Sequence, residues 1–432
     1  MLKMNKYFKL GKKLFPICRS ITGLGAKKTL QIIKKEFSNL KIYKIKSGKK
    51  IYDWKIPPEW NIKDAYVIDK KGKKIINFKN NNLHVVSYST PVKKIINKTF
   101  LLKRLHSLPN QANAIPYKTS YYKKYWGFCI SHNEKKKIIR NYKNSDKFKI
   151  LIDSNLNKKG YLNYGELIIK GKSKQEILVS TYICHPSMAN DGLSGLMVAM
   201  GLINYFKKYK NLEKTLRFIF TPETIGSITY INRNLKNLKK NVIGGYHLTC
   251  IGDERQHSCK LSKYGNSLSD KALLQAYRVL KIRFKKYSCL NPGSDEGRFG
   301  SPGIDLAITS IFRSKYLEYP EYHTSLDNFN VVTLKGLNGG YKVSKKAIKI
   351  LLKKIIPKNT ILCPPQMSKR GLYPTLASKN FFEYKISRNY LDFLHYSDGK
   401  NDLLEMSKIL KLDNTVIFKI NKILLKRKLL TN

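Results

Sequence analysis

The sequence predicts an α/β fold with a mainly parallel sheet, interrupted by a small β-rich insert and followed by a helical tail. Three observations carry this expectation. From about residue 148, short apolar runs alternate with stretches of helical period, as in strands joined by crossover helices. Between 45 and 135, short strand-like runs separated by turn residues replace that rhythm. Beyond the Pro pair at 364–365, three short helical stretches succeed one another, which fits a helix-turn-helix or winged-helix module. A chain of 432 residues exceeds one ordinary domain. The expected divisions are 1–44 and 136–362 for two parts of one main domain, 45–135 for the insert and 363–432 for the tail.

The elements follow in order. Leu14, Phe15, Ile17 and Ile21, then Leu30, Ile32, Ile33 and Phe37, recur near the helical period, with a break at 23–25. Tyr52-Asp53-Trp54 and Ile56-Pro57-Pro58-Glu59-Trp60 cannot be helix interior. AYVID, KKIINF and LHVVSYS read as short strands separated by KKGK and NNN turns, and the aromatic stretch TSYYKKYWGFCISH ends the insert. FKILID, GELIIKGK and EILVSTYICHP then read as the first strands of the main sheet. Residues 191–210 read as a helix with Leu196, Val198, Ala199, Leu202 and Ile203 on its apolar side. LRFIFTPE, VIGGYHLTCIG and AITSIFRS are further strands. IGSITYINRNLKN, LSDKALLQAYRVLKI and LKGLNGGYKVSKKAIKILLKKI are helices. YLDFLHY, NDLLEMSKIL and TVIFKINKILLKR are the helices of the tail.

Composition narrows the classes. The chain is 42% hydrophobic and 11% aromatic, enough to build cores, which excludes bulk disorder, a collagen-like fibre and a small disulfide scaffold. Lys+Arg 84 against Asp+Glu 28 gives a net charge of +56. Such a balance suggests a polyanionic partner. Only 13 of the cations are Arg, however, and the Lys is spread along the chain together with inflated Ile, Asn and Tyr. That pattern suits an AT-rich coding sequence, and nucleic acid is not the expected partner. Seven cysteines, odd in number and without a CxxC pair, favour free thiols and a reducing compartment. Lys interrupts MLKMNKYFKLGKKLF too often for a signal peptide, and no run of about 18 apolar residues spans a membrane. A cytoplasmic location is expected.

Polar residues gather where predicted strands end, the place where open α/β sheets bind ligands. His185 and Asp191 lie in CHPSMANDGLSG, Glu223 in TPETIGS and His323 in EYPEYHTSLDN, while NPGSDEGRFGSPG holds Asp295, Glu296 and Arg298. Imidazole nitrogens and carboxylate oxygens in one cleft suit Zn²⁺, and a spare carboxylate beside them suits a general base. Each residue alone has a plainer reading. A His after a strand is more often structural, Asp191 is a good N-cap, and Glu223 complements a helix N-terminus. Their shared position at strand ends favours the site. His132 and His247 read as packed histidines. The aromatic cluster 117–126 reads as packing between insert and main domain, with a wall of the cleft as the lesser option. Cys184 beside His185 suggests a Cys–His pair, but neighbours on a strand point to opposite faces.

The order of these motifs resembles the zinc aminopeptidase superfamily. Its members place a ligand His after one strand, a bridging Asp in an N-D-x-x-S-G turn, a base in a Glu-Glu-x-Gly turn and a late ligand His. CHPSMANDGLSG, PETIGSI, GSDEGRFGSPG and EYHTSLDN are similar, more closely, to a bacterial family of uncharacterised aminopeptidase-like proteins with an inserted β domain and a C-terminal winged helix. RSITG, YDWKIPPEWNIKDAY, NNLHVVSYSTPV and IPYKTSYYKKYWGFCISH extend the resemblance over nearly the whole chain. It implies a zinc-exopeptidase-like α/β/α sandwich and a metal site. The chain departs from the two-zinc pattern: Ser187 stands where an Asp follows the first His, Thr224 replaces the second glutamate, and YHLTCIG has no carboxylate until Asp253. The resemblance therefore implies one Zn²⁺ held by His185, Asp191 and His323, with Glu223 as the base. Asp295, in the family's S-D turn, is expected to orient His323 or another group of the site. Arg298 is expected to bind a substrate carboxylate or an oxyanion, with a salt bridge to Asp295 or Glu296 as the alternative.

The expected function is zinc-dependent hydrolysis of an amide bond, aminopeptidase-like, in a small peptide or N-acyl substrate. The competing class is a catalytically degenerate ligand-binding or regulatory protein whose winged helix contacts DNA or protein. NDLLEMSKIL, taken as the recognition helix, is acidic at its front and free of Arg, which argues against base readout. The tail is therefore read as an interaction module, able to pair two copies of the chain in a homo-oligomer.

Overall fold

The computed structural model describes residues 2–374 and 381–431. Helices α1 (Leu2–Leu14) and α2 (Leu24–Glu36) open the chain, and the edge strand β1 (Lys41–Lys46) follows. Just before α2, Gly23 has φ 92°, and a Cβ there would lie 2.1 Å from the Trp60 carbonyl oxygen. Only glycine satisfies both conditions.

The insert is built on a four-stranded antiparallel sheet of β2 (Glu59–Ile68), β3 (Lys74–Asn77), β4 (Val92–Asn97) and β5 (Lys147–Asn157), in the order β3-β2-β5-β4. Strand β5 corrects the reading of FKILID as part of the main sheet. It pairs with β2 and β4, so the insert's sheet runs past the expected boundary at 135 to residue 157. LHVVSYS is not a ladder strand either. Asn82–His84 is a tight helical turn, and Val85 and Ser87 meet their neighbours only in isolated bridges. Two helices, α3 (Lys98–Lys103) and α4 (His132–Asn141), complete the insert. The second starts at a capping box in which Ser131 and Glu134 satisfy each other's amides.

The main domain continues with β6 (Tyr161–Ile169), β7 (Ser173–Tyr182), α5 (Ser194–Phe206), β8 (Lys214–Thr221), α6 (Ile225–Asn241) and β9 (Val242–Leu248). It ends with β10 (Ser258–Lys260), α7 (Leu268–Val279), β11 (Lys285–Tyr287), α8 (Asp295–Phe299), β12 (Ile308–Phe312) and α9 (Leu334–Lys353). The sheet order is β1-β6-β8-β7-β9-β12-β10-β11, and the central strands β8, β7, β9 and β12 run parallel. Every residue of β8 is buried, as a strand covered on both faces requires. Side chains of β7 alternate: Ile177 and Val179 join the core beneath α1, α2, α5, α7 and α9, while Leu178 faces α6 and α8. Ile51, Ile56 and Trp60 seat the insert on that second layer. The main domain is thus an α/β/α sandwich. Strand β7 feeds a crossover to β8 on one side and has β9 on the other, so a crevice opens at its carboxyl end.

The tail consists of α10 (Phe381–His395), α11 (Leu403–Leu410) and α12 (Asn414–Lys426), around a core that includes Phe393, Met406, Ile417 and Leu424. Ile355 and Ile361 pack on that core and Lys358–Asn359 pairs with Leu430–Thr431, so its packing begins ahead of the expected residue 363. The second helix of the helix-turn-helix is α12, which follows α11 across the turn 411–413; NDLLEMSKIL is the first. Helix α12 exposes Lys419, Lys422 and Lys426. Lys271 and Lys354 of the main domain pair with Glu405 and Asp402 of the tail. No helix among the described residues is long and apolar enough to cross a membrane.

Candidate metal centre

His185 lies just past the end of β7. Its ring is buried and packs edge-on against Tyr117 and Tyr182, with ring centres 5.6 and 4.8 Å away. Its carbonyl accepts a 2.9 Å hydrogen bond from Nε of Arg19, which is itself buried. Burial lowers the imidazole pKa, leaving the neutral form that ligates metals. Asp191 sits in the irregular turn Ala189–Leu193 between β7 and α5, where Gly192 takes φ 107°. Asp191 caps nothing; α5 has no side-chain cap. The Asp327 carboxylate shapes this turn by accepting the amides of Asn190 at 2.6 Å and Asp191 at 2.9 Å, and it also takes the Tyr319 hydroxyl at 3.1 Å. The Tyr182 hydroxyl donates to Asp191 Oδ1.

His323 descends from the loop after β12. Its Nε2 is 3.0 Å from Asp191 Oδ2, and His185 Nε2 is 3.9 Å from the same oxygen. The closer contact lacks hydrogen-bond alignment: both His323 Nε2 and Asp191 Oδ2 are buried without a hydrogen-bond partner. The ligating atoms of all three residues lie within 4.8 Å of one another. Two imidazole nitrogens and a carboxylate oxygen, two of the three outside any aligned hydrogen bond, form a donor set that a zinc ion fits. Burial works to raise the Asp191 pKa, but the two histidines and Tyr182 hold it below the ordinary carboxylate range. Burial pulls His323 down, and the adjoining Asp191 carboxylate more than offsets this.

Glu223 follows β8, with Oε2 3.5 Å from His185 Nε2 and Oε1 accepting from the Ser294 hydroxyl. Its side chain is 30% exposed and faces the crevice, whereas Asp191 is closed off. Thr224 has φ 59°, a left-handed kink fixed by its amide bonding to Asp295 Oδ1 at 2.8 Å. The same oxygen takes the Ser227 hydroxyl at 2.8 Å. Asp295 thus holds the Glu223–Thr224 turn, and among the described residues it makes no hydrogen bond or ion pair to His323. Burial, then the Glu223 charge, push its pKa up to about 7. Arg298 forms no ion pair with Asp295 or Glu296 among the described residues; Glu296 is taken by Lys260 at 2.9 Å. Arg298 Nε is buried without a hydrogen-bond partner, and the residue is not among those lining the cavity over the site.

Ser187 accepts from Asn82 Nδ2 at 2.9 Å and so ties the turn to the insert. Asp253 is saturated by Ser314, Arg255 and Asn190 and stands outside the donor cluster. Cys184 does not point away from His185. The chain has left the strand by then, and Sγ lies 4.0 Å from His185 Nδ1, within a second donor group with Glu223. Burial raises the thiol pKa, so it is no ready nucleophile. His132 bonds Ser107 at 3.1 Å and His247 bonds Ser180 at 2.9 Å, both outside the cluster.

The insert walls the site. Tyr117 stands 5.2 Å from the His323 ring, and its amide donates to the His323 carbonyl at 2.8 Å. A cavity of about 310 Å³ over His185, Glu223 and His323 is lined by Tyr117, Tyr121, Tyr122 and Trp54 of the insert. Tyr182 and Asp327 were not among the residues expected to build the site, and Tyr117, first of the cluster 117–126, takes the lesser option of a wall of the cleft. Asp327 did carry a signal, four residues beyond His323.

The fold defines a class, the α/β proteins built like zinc aminopeptidases. A zinc aminopeptidase from Bacillus subtilis superposes at a TM-score of 0.59 with 13% identity, covering 80% of this chain and 93% of its own. A peptidase M28 precursor from Shewanella amazonensis superposes at 0.54 with 11% identity, covering 82% and 98%. Within that class, residues 8–354 match the family described as Domain of unknown function (DUF4910), and residues 355–432 match a winged helix-turn-helix. The chain belongs to the DUF4910 family. A Clostridium acetobutylicum relative, named provisionally as a polysaccharide biosynthesis protein with an aminopeptidase-like domain, is 41% identical over 405 residues, 93% of this chain and 90% of its own. A crystal structure from Clostridium acetobutylicum, provisionally described as a peptidase, is 39% identical and superposes at 0.79, covering 99% and 96%.

Proposed function

We propose that the protein is a zinc-dependent hydrolase of an amide bond. The observation that carries this is the convergence of Asp191 Oδ2, His323 Nε2 at 3.0 Å and His185 Nε2 at 3.9 Å, with neither of the first two atoms in an aligned hydrogen bond. His185, Asp191 and His323 would hold one ion. When bound there, zinc supplies Lewis-acid polarisation of a carbonyl and lowers the pKa of water. Glu223 takes a proton from the attacking water at Oε2 and returns it to the leaving nitrogen, while Ser294 pins Oε1 so that the free oxygen faces the crevice. Tyr182 and Asp327 keep Asp191 in place, and the insert limits access of bulk water.

The Glu223→Gln variant tests this. The amide keeps the shape but cannot accept the proton. Zinc content stays near one equivalent, while turnover of a responsive aminoacyl or N-acyl amide falls by roughly 10²–10⁴. Zinc, melting temperature and turnover are measured on one preparation. Loss of the metal makes Glu223 a ligand, and undiminished hydrolysis removes it as the base.

A further inference from the structure

The cavity above the site carries a charge pattern and a wall that the hydrolase reading leaves unused. Of the residues that line it, Glu223 is the single carboxylate, and none is Lys or Arg. A substrate with a free α-ammonium beside the scissile carbonyl needs an anion to receive that charge, because an unpaired buried ammonium is costly. With Glu223 engaged as base, this cavity offers no second anion. The group next to the amide is therefore uncharged, as in an N-acyl compound.

The wall indicates what carries the acylated nitrogen. Trp54 and Tyr122 stand at the mouth with ring centres 6.1 Å apart, and they are 39% and 54% exposed. Rings closed into a deep apolar slot would suit an aromatic side chain. These are partly exposed and tilted 60° to each other, so the mouth presents aromatic surface in contact with water, which suits a ring bearing polar substituents. Behind them, the hydroxyls of Tyr117 and Tyr121 are 2.8 Å apart, and Thr119 and Thr224 add two more. Ile21 and Ile225 supply a short apolar surface beside them for a small acyl group.

We propose that the cavity binds an N-acylated amino sugar, with the sugar ring packed against Tyr122 at the mouth beside Trp54 and the acylamide toward Glu223. The proposal rests on the amide-hydrolase reading, which engages Glu223 as the base. In the step, the water oxygen bonds to the acyl carbon, the C–N bond breaks, and the nitrogen gains the proton that Glu223 took from water. The products are a carboxylate and an amino sugar, with no change of oxidation state.

The test uses the full-length, zinc-loaded protein and two readouts. Intrinsic tryptophan fluorescence reports binding, because Trp54 lines the mouth, and released acetate or amine reports cleavage. The probes are methyl N-acetylglucosaminide, methyl glucosaminide, N-acetylphenylalanine amide and leucine amide. Saturable binding is expected for the first, at least about tenfold tighter than for the other three. The Tyr122→Ala variant is expected to weaken it about tenfold with zinc content unchanged, the scale of one stacking contact. Preference for leucine amide or N-acetylphenylalanine amide, in binding or cleavage, overturns the sugar assignment and leaves the amide-hydrolase reading standing. Absence of both binding and cleavage of the acylated sugar also overturns it. Binding without cleavage upholds the ligand class and counts against the hydrolase reading.

Discussion

Asp295 shows how a single carboxyl sets local strain and pH response together. It is buried, it fixes the left-handed turn at Thr224, and its pKa is pushed up to about 7. In the unfolded chain the same group titrates near 3.8. Between those values the folded protein holds a proton that the unfolded chain has released. The associated stability is present at low pH and is lost as pH rises toward about 7. Asp295→Asn removes this titration. Its melting temperature should fall less than that of the wild type from about pH 4 to about pH 7, and parallel curves would refute the protonated Asp295. His185, Asp191, Glu223 and His323 were legible because each follows a strand whose apolar run is plain in the sequence. Asp327 was not, because it acts through backbone amides more than a hundred residues away in the chain. Cys184 was misread because alternation applies within a strand, and β7 ends at Tyr182.

At the scale of elements, the contrast between β5 and β8 explains the misplaced strand. Strand β5 alternates buried and exposed residues through Lys147–Asn157, the pattern of a half-covered antiparallel sheet, while β8 is buried throughout. The alternation was present in FKILID, and position in the chain outweighed it. LHVVSYS failed for a different reason: Leu83, Val85, Val86 and Tyr88 are buried, but by packing rather than by a ladder. Helix α5 depends on close approach to β9. A Cβ at Gly195 would lie 2.1 Å from the Leu248 carbonyl oxygen and 2.6 Å from Thr181 Oγ1. Gly195→Ala must push the helix off the sheet, with an expected cost of about 1–3 kcal/mol, read by denaturant unfolding. Just beyond β9 the Cys250 amide donates to the Asn190 carbonyl at 3.1 Å, next to Asp191, so the same shift should also lower metal content if the proposed site holds zinc.

For the whole molecule, charge is the dominant unbalanced quantity. At +56, with Lys spread over every part, the folded state repels itself. Raising chloride from about 0.1 M to about 1 M shortens the screening length from about 10 Å to about 3 Å. The melting temperature should rise by several degrees, and a flat response would mean that the surface lysines are already neutralised by local pairing. The sandwich, the insert and the tail were all legible in outline from periodicity. Their borders were not, because residues up to 157 and from 355 belong by packing to neighbours that the chain order hides.

The backbone bond from Tyr117 to His323 has a thermodynamic consequence. It joins docking of the insert to the posture of His323, the proposed ligand, so the two are linked equilibria rather than separate properties. By linkage, whatever factor docking adds to metal affinity, metal binding adds to docking. If the proposed site holds zinc, removing the metal should loosen the contact of Tyr117 with His323 and binding it should tighten that contact.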